Sequence, residues 1–183
     1  TISLSLDITT FDCDDVGANT VTLTVTDASG LTASCEASIS VSENIKPNVE
    51  CQDVTINLDA NGLATVSPAQ VNDGSTDACG VANLSLDITD FDCADVGDNT
   101  VTLTATDSNN NSESCTAIVT VQDVTPPTVN CQDLSIDLDA TTGTASITAD
   151  QIGSTSTDNC GVANLGLDIS SFDCTDIGNK VVT

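Results

Sequence analysis

The sequence predicts an all-β protein made of tandem, disulfide-stapled repeats of about 80 residues. Most of residues 11–47 recurs at 91–127, and the same stretch begins again at 172–183. Within each copy, threonine alternates with apolar residues, which is the period-2 pattern of a strand with one buried face. Nine cysteines accompany only three aromatic residues, all phenylalanine. We therefore expect small aliphatic cores that depend on disulfide bonds.

The repeat period divides the 183 residues into one complete repeat and parts of two others. Residues 1–43 are the C-terminal part of repeat 1, residues 44–123 are the complete repeat 2, and residues 124–183 are the N-terminal part of repeat 3. Because neither end falls at a repeat boundary, we expect the chain to be an excerpt of a longer polypeptide. The linkers between repeats are short and contain proline, so the repeats should follow one another as an extended rod.

The first half of the complete repeat reads as two strands joined by a tight turn. Val54, Ile56 and Leu58 alternate with polar residues and should face inward. Asn61-Gly62 has the composition of a hairpin turn. The second strand is expected over residues 63–71.

The second half of the complete repeat is expected to contain its longest strands. Residues 90–99 read as a loop, after which Val101, Leu103 and Ala105 alternate with threonines and should be buried. The polar run 107–111 should form the turn into the last strand. Six or so short strands with turns about every ten residues predict an immunoglobulin-type β-sandwich.

The nine cysteines indicate an oxidising, extracellular environment. If each repeat joins its first cysteine to its fourth and its second to its third, three bonds form within the chain. They are Cys51–Cys115, Cys79–Cys93 and Cys160–Cys174, with Cys13, Cys35 and Cys131 paired outside residues 1–183. The alternatives are Cys35–Cys51 and Cys115–Cys131, because about 15 residues separate the members of each pair. A four-cysteine zinc site is disfavoured because no Cys-x-x-Cys spacing occurs.

Charge and composition argue against several classes of function. The formal net charge is −26 and the chain has no Arg or His, so it lacks the basic footprint that nucleic acid requires. Without His or Arg, the parts of a nucleophilic catalytic site are missing, and we expect no enzyme. A carboxylate pair such as Asp90 and Asp92 lacks the aromatic platforms of a sugar-cleaving groove. No stretch is long and apolar enough for membrane insertion in this segment.

Calcium is the one cofactor for which the sequence offers candidate ligands. Hard cations bind several carboxylate and carbonyl oxygens at once, and acidic residues recur near both repeat junctions. The candidates are Asp123, Asp133 and Asp158 at the second junction, and Glu43, Asp53 and Asp77 at the first. A second acidic cluster comprises Asp90, Asp92, Asp95 and Asp98. Solvated surface charge is the alternative interpretation of both sets.

The order of the marked residues resembles the HYR (hyalin repeat) module. An Asp-x-x-x-Pro-x-x-x-Cys segment precedes Thr-Asp-x-Cys-Gly, and Gly-x-x-x-Val-Thr-Leu-Thr-x-Thr-Asp follows it, before a cysteine and a Val-rich last strand. The chain departs from the module at Asn109–Asn111, where Gly-Asn is usual, and the Cys79 and Cys93 positions are not present in every member.

This resemblance implies an immunoglobulin-like extracellular module of adhesion proteins, including long Bacteroidota-type surface adhesins. The implied function is a non-catalytic stalk or filament segment of a secreted or cell-surface protein, which serves surface attachment or gliding motility. Its partners would be other repeats of the same chain, surface polysaccharide or other cell-surface proteins. The alternative function is a calcium- or glycan-binding recognition module.

Overall fold

The computed structural model describes residues 1–183 and is all-β apart from two short helices. Its residues form two compact units, each built from discontinuous parts of the chain. Unit 1 comprises Thr1–Val54, Ser67–Thr89 and Thr100–Ile118, and unit 2 comprises Thr55–Val66, Asp90–Asn99 and Val119–Thr183. Each unit therefore combines part of the complete repeat with one neighbouring partial repeat. No helix has the length and apolar character needed to span a membrane.

The secondary structure consists of eleven strands and two helices. The strands are β1 (Ser3–Leu6), β2 (Gly17–Thr26), β3 (Thr32–Val41), β4 (Val54–Asn57), β5 (Leu63–Thr65), β6 (Val81–Leu86), β7 (Asp90–Asp92), β8 (Gly97–Asp107), β9 (Ser112–Gln122), β10 (Ala145–Ser146) and β11 (Ser171–Phe172). The helices are α1 (Pro68–Val71) and α2 (Ala149–Gly153). Single 3₁₀ turns occupy Cys13–Asp15 and Cys93–Asp95.

The complete repeat has the strand pairing of an immunoglobulin-type domain. One antiparallel sheet has the order β4-β9-β8-β6, and a second sheet pairs β5 with β7. The first strand of the repeat thus pairs with its last strand, while the second and fourth strands pair separately. The predicted all-β, disulfide-stapled immunoglobulin-like fold is confirmed.

The core of the complete repeat lies where the sequence pattern predicts it. Val101, Leu103 and Ala105 on β8 have no exposed surface, while the threonines between them are only half-buried. Ile56 and Leu58 are also buried, as predicted, whereas Val54 is half-buried. The alternation therefore marks the buried face of each strand.

The partial repeats show smaller sheets. In repeat 1, β2 pairs with β1 on one side and β3 on the other, and the Leu23 copy of Leu103 lies opposite Cys35. Leu4 and Leu6 on β1 are 68% and 51% exposed. In repeat 3, β10 and β11 pair with each other as a two-stranded sheet.

Two segments of the complete repeat differ from the prediction. The strand expected over residues 63–71 ends at Thr65 and gives way to α1. Pro68 occupies the first turn of α1, where a missing N–H costs nothing, and the Gln70 side chain accepts a hydrogen bond from the Ser67 N–H at 2.9 Å. The loop expected at 90–99 instead contains β7, a 3₁₀ turn and the start of β8.

The disulfide bonds agree with the predicted pairing in one of three cases. Cys51–Cys115 is present, with the Cα atoms 6.0 Å apart. The predicted Cys79–Cys93 and Cys160–Cys174 bonds are wrong. Cys79 joins Cys13, Cys93 joins Cys160, and Cys35, Cys131 and Cys174 are exposed free thiols. The alternative Cys35–Cys51 and Cys115–Cys131 bonds are likewise absent from the structure.

Strand geometry explains why Cys79 and Cys93 do not pair. Cys79 lies two residues before β6, and Cys93 directly follows β7. The six residues of β6 alone extend roughly 20 Å, whereas a disulfide needs Cα atoms within about 7 Å. The two cysteines are therefore free to bond to neighbouring repeats. The expectation that Cys13 pairs outside the chain is also wrong, because Cys13 bonds to Cys79.

Candidate functional site

The same inter-repeat disulfide occurs at both repeat junctions. Cys13 of repeat 1 bonds to Cys79 of repeat 2, and Cys93 of repeat 2 bonds to Cys160 of repeat 3. The bonded residues are 66 and 67 positions apart, with Cα–Cα distances of 5.4 and 5.3 Å. The first bond lies within unit 1 and the second within unit 2. In each, the cysteine of a Phe-Asp-Cys segment meets the cysteine of a Thr-Asp-x-Cys-Gly loop.

The second junction shows how the Thr-Asp-x-Cys-Gly loop is held. The Asn159 side-chain amide donates a hydrogen bond to the backbone carbonyl of Asp59 at 3.1 Å. The Cys93 Sγ lies 3.5 Å from the carbonyl oxygen of Asn159 and 3.8 Å from that of Gly62. The loop of repeat 3 thus contacts both the hairpin turn and the Phe-Asp-Cys turn of repeat 2.

A glycine at the hairpin turn makes this close approach feasible. Gly62 has φ +74°, and a Cβ added there would lie 2.6 Å from the Cys93 Sγ and 3.0 Å from the Asn159 carbonyl oxygen. Both the backbone conformation and the space require glycine. The first junction repeats the loop contact, since the Cys13 Sγ lies 3.6 Å from the carbonyl oxygen of Ala78, which precedes Cys79 as Asn159 precedes Cys160.

Unit 1 also contains a group of neighbouring carboxylates at the first junction. Glu43, in the linker segment, shares a side-chain hydrogen bond with Asp107 at the end of β8. Burial and the nearby charges of Asp107 and Asp77 raise the pKa of Glu43. Burial opposes ionisation of Asp107, but hydrogen bonds from Asn111 and from Glu43 keep its pKa below the ordinary value. As the pH falls, Glu43 therefore takes up a proton before Asp107 does.

Asn111 joins these two carboxyl groups, while one oxygen of Asp77 has no partner. The Asn111 side-chain amide donates to Asp107 Oδ2 at 2.7 Å and to Glu43 Oε2. Asp77 Oδ1 accepts from the Cys79 N–H at 2.7 Å, but Asp77 Oδ2 is buried without a hydrogen bond. The repeat-equivalent oxygen, Asp158 Oδ2, is also buried without a partner.

The structure brings together only part of the predicted calcium-ligand set. Glu43 and Asp77 lie close enough to interact, but Asp53 accepts a hydrogen bond from the Ile118 N–H at 2.7 Å instead. At the second junction, Asp123 caps the N–H of Thr125 at 3.0 Å, and Asp133 is exposed. No three carboxylate or thiol groups converge in a geometry that could hold a metal ion.

The second acidic cluster has local structural roles. Asp92 accepts from the Ala94 N–H at 2.7 Å, and Asp95 accepts from the Asp92 N–H at 2.9 Å, which together cap the 3₁₀ turn. Asp98 accepts from the Thr120 hydroxyl at 2.8 Å. Asp92 and Asp95 therefore stabilise the 3₁₀ turn that begins at Cys93.

Sequence reasoning missed Asp107, Asn111 and Asn159. The polar run 107–111 was sufficient to predict a turn, and Asn110 does adopt φ +68° there, but the reach of Asn111 to Glu43 is a tertiary contact. The spacing from Cys13 to Cys79 nearly equals that from Cys93 to Cys160, but Cys79–Cys93 and Cys160–Cys174 are also equally spaced, so spacing could not have identified the inter-repeat bond.

Comparison with known proteins finds that part of the chain is similar to hyalin. No family model matches the sequence. Hyalin of Strongylocentrotus purpuratus is 38% identical over an alignment of 119 residues, and the match covers 61% of this chain and 10% of hyalin. The chain thus spans about a tenth of the length of the curated relative that it matches.

Solved structures with partial likeness come from protocadherins. The protocadherin gammaB7 EC3-6 cis-dimer structure has a TM-score of 0.36 and 17% sequence identity, covering 86% of this chain and 52% of that chain. The PcdhgB3 EC1-4 structure has a TM-score of 0.38 and 14% identity, covering 80% of this chain and 45% of that chain.

Proposed function

We propose that the chain is a non-catalytic, load-bearing segment of a long extracellular adhesion protein, in which each repeat is covalently tied to the next. The observation that carries this proposal is the recurrence of the Cys13–Cys79 bond, one repeat later, as Cys93–Cys160. The similarity to hyalin over 119 residues supports the choice of protein class. A disulfide bond that recurs at each repeat junction indicates a structural role in a repeat array, because a recognition site would need only one copy.

The covalent bonds define a short path for tension through the chain. Force applied at Thr1 and Thr183 passes from Cys13 to Cys79, along the backbone to Cys93, and then across to Cys160. The bonds bypass residues 14–78, which include Cys51, and residues 94–159, which include Cys115. Cys51–Cys115 therefore stabilises the complete repeat without carrying tension between the chain ends.

In this role, the array holds an adhesive end away from the cell or forms a filament that serves attachment or gliding motility. Its partners would be further repeats of the same kind, together with surface polysaccharide or other surface proteins. At −26, the net charge opposes close packing between like chains within a Debye length of about 8 Å. This repulsion favours chains of repeats that remain separate and extended.

Single-molecule pulling between Thr1 and Thr183 tests the proposal. The two inter-repeat bonds span 66 and 67 residues, so adding a reductant should release about 450 Å of additional chain at ~3.4 Å per residue. The C93S/C160S double variant should already extend by about 230 Å more than the wild type under oxidising conditions. The C51S/C115S variant is the matched control and should extend no further than the wild type. The opposite behaviour of the two variants would contradict the proposed load path.

Calcium binding at the first junction is a second candidate function. It is favoured by the buried, unpartnered Asp77 Oδ2 and by the raised pKa of Glu43, whose carboxyl group interacts with both Asp77 and Asp107. The three groups do not converge in a metal-binding geometry in this structure, so a cation would have to draw them together. Glu43, Asp77 and Asp107 would supply carboxylate oxygens, which calcium prefers. A bound cation would neutralise their repulsion and stabilise the junction.

Calorimetric titration with calcium, combined with thermal unfolding, tests this second candidate. The wild type should release or absorb heat at millimolar calcium and unfold at a higher temperature. The E43Q variant should lose most of both effects. D53N is the matched control, since Asp53 contacts Ile118 and not the cluster, and its response should be that of the wild type. A wild type that shows neither heat nor a thermal shift would exclude calcium.

A further inference from the structure

Repeat 3 carries an exposed copy of the surface that receives a loop at the second junction. Cys174 is the repeat-3 copy of Cys93 and lies two residues after β11, and its thiol is exposed and unpaired. Beside it lies an open depression of about 590 Å³, whose lining includes Asp139, Thr142 and Asp173. All of these residues lie within unit 2.

The local geometry around Cys174 matches that around Cys93. The Cys174 Sγ lies 3.7 Å from the Gly143 carbonyl oxygen, against 3.8 Å from Cys93 Sγ to Gly62. Gly143 has φ +68°, against +74° for Gly62. The hairpin keeps this geometry although the turn in repeat 3 is one residue longer. The thiol and the turn are therefore already arranged as they are at the occupied junction.

The occupied junction identifies the chemistry of the missing occupant. There, the Asp59 carbonyl accepts both the Gly62 N–H at 2.9 Å and the Asn159 amide at 3.1 Å. The Asp139 carbonyl accepts the Gly143 N–H at 2.8 Å, which leaves its second lone pair for an equivalent amide.

The occupant needs no surrounding domain to form its turn. Asp158 Oδ1 accepts the Cys160 N–H at 2.8 Å, and the Asp158 carbonyl accepts the Gly161 N–H at 3.3 Å. These bonds form a local Asx turn that a short peptide can adopt. The turn places the asparagine amide and the cysteine thiol on the same short segment.

We propose that Cys174 and the Asp139–Gly143 turn form a docking and disulfide-bonding site for the Thr-Asp-Asn-Cys-Gly loop of another repeat. The inference rests on the proposed function and deepens it, because it identifies the surface by which a repeat docks an asparagine-bearing loop. The first junction, where Ala78 replaces the asparagine, closes without this amide contact. The asparagine amide binds the Asp139 carbonyl and thereby brings the loop cysteine to Cys174. Cys35 and Cys131 are exposed thiols as well. Their copies in repeat 2 are Cys115 and Cys51, which bond to each other and not to a loop of another repeat.

A peptide with the sequence of residues 154–163, its cysteine carried as a mixed disulfide with 5-thio-2-nitrobenzoate, is the probe. The Cys174 thiolate attacks the peptide sulfur, a new disulfide forms, and thionitrobenzoate leaves with the electron pair of the broken bond, so no other oxidant is needed. Release of thionitrobenzoate gives the rate, and peptide mapping by mass spectrometry gives the site. The glutathione mixed disulfide, which has no turn, measures the intrinsic reactivity of each thiol.

Relative to the glutathione reagent, the peptide should favour Cys174 over Cys35 and Cys131 by about tenfold, the effect of one well-placed hydrogen bond and a matched surface. A peptide with alanine in place of the asparagine should lose most of that preference. Labelling of the three thiols in the same ratio by both reagents would overturn the proposal. Such a failure would not affect the proposed load-bearing function, which depends on the bonds already formed between Cys13 and Cys79 and between Cys93 and Cys160.

Discussion

Asp87 accepts a hydrogen bond from the backbone N–H of Thr102 at 2.7 Å, and this link ties the end of β6 to the middle of β8. The same contact occurs in the partial repeats. Thr22 donates to Asp7 at 2.8 Å, and Thr183 donates to Asp168 at 2.8 Å. In all three repeats, an aspartate accepts a hydrogen bond from this strand N–H. The contact is therefore a structural feature of the repeat, and it explains why Asp occupies this outward position.

The first prediction concerns acid stability. The hydrogen bond from the Thr102 N–H lowers the pKa of Asp87 from its ordinary value of 3.8. A carboxyl group with a lowered folded-state pKa stabilises the fold above its unfolded-state pKa, and this stabilisation is lost as the pH falls through the folded-state pKa. Stability should therefore be steady from pH 7 to about pH 5 and should fall below about pH 4.

The D87N variant isolates this contribution. It should lower the free energy of unfolding at pH 7 by no more than about 1 kcal/mol, because the group is exposed to solvent. The difference from the wild type should disappear near pH 2, where the wild-type carboxyl is protonated. Denaturant unfolding at several pH values measures it, and curves that stay parallel down to pH 2 would exclude the assigned role.

The second prediction concerns the core. Leu103 has no exposed surface, so L103A should cost about 2–5 kcal/mol through lost burial and the cavity left behind. L23A is the matched control, since Leu23 is the repeat-1 copy of Leu103 and is only half-buried. Its cost should be clearly smaller in the same chemical denaturation experiment. Equal costs would mean that the two sheets are packed to the same degree.

The third prediction concerns the glycine at the second junction. G62A should destabilise the chain and reduce the yield of the Cys93–Cys160 bond, because the added Cβ would meet the Cys93 Sγ at 2.6 Å. G74A is the matched control, because Gly74 also has a positive φ but no atom within 4 Å of an added Cβ. G74A should cost only the backbone strain, about 1 kcal/mol. Thermal unfolding and a free-thiol assay measure both effects, and unchanged thiol content in G62A would contradict the predicted clash.

Local patterns were sufficient to predict most of the strands but not the contacts between repeats. Alternation identified Val101, Leu103 and Ala105 as core because a strand's two faces have different surroundings. It missed α1, where Pro68 and the Ser67–Gln70 cap override a β-like composition. One helical turn is too short to show a period.

The disulfide pairing could not be derived from cysteine order alone. Cys79 and Cys93 are near each other in sequence, but they belong to different compact units and each bonds to a neighbouring repeat. The similar spacing of Cys13–Cys79 and Cys93–Cys160 does not identify the pairing either, because Cys79–Cys93 and Cys160–Cys174 are also equally spaced. The approach of Glu43 to Asp77 and Asp107 depends on the same long-range arrangement, so local sequence could identify acidic residues but not their grouping.

Non-reducing peptide mapping of the oxidised chain tests the central claim most directly. The chain contains only two Lys and no Arg, so a protease that cleaves at aspartate is suitable, and free thiols are blocked before digestion. Covalent ties between repeats predict linked peptides that contain Cys13 with Cys79 and Cys93 with Cys160, and blocked thiols at Cys35, Cys131 and Cys174. Peptides that join Cys79 to Cys93, or Cys160 to Cys174, would show that each repeat closes its own bonds and would contradict the covalent array.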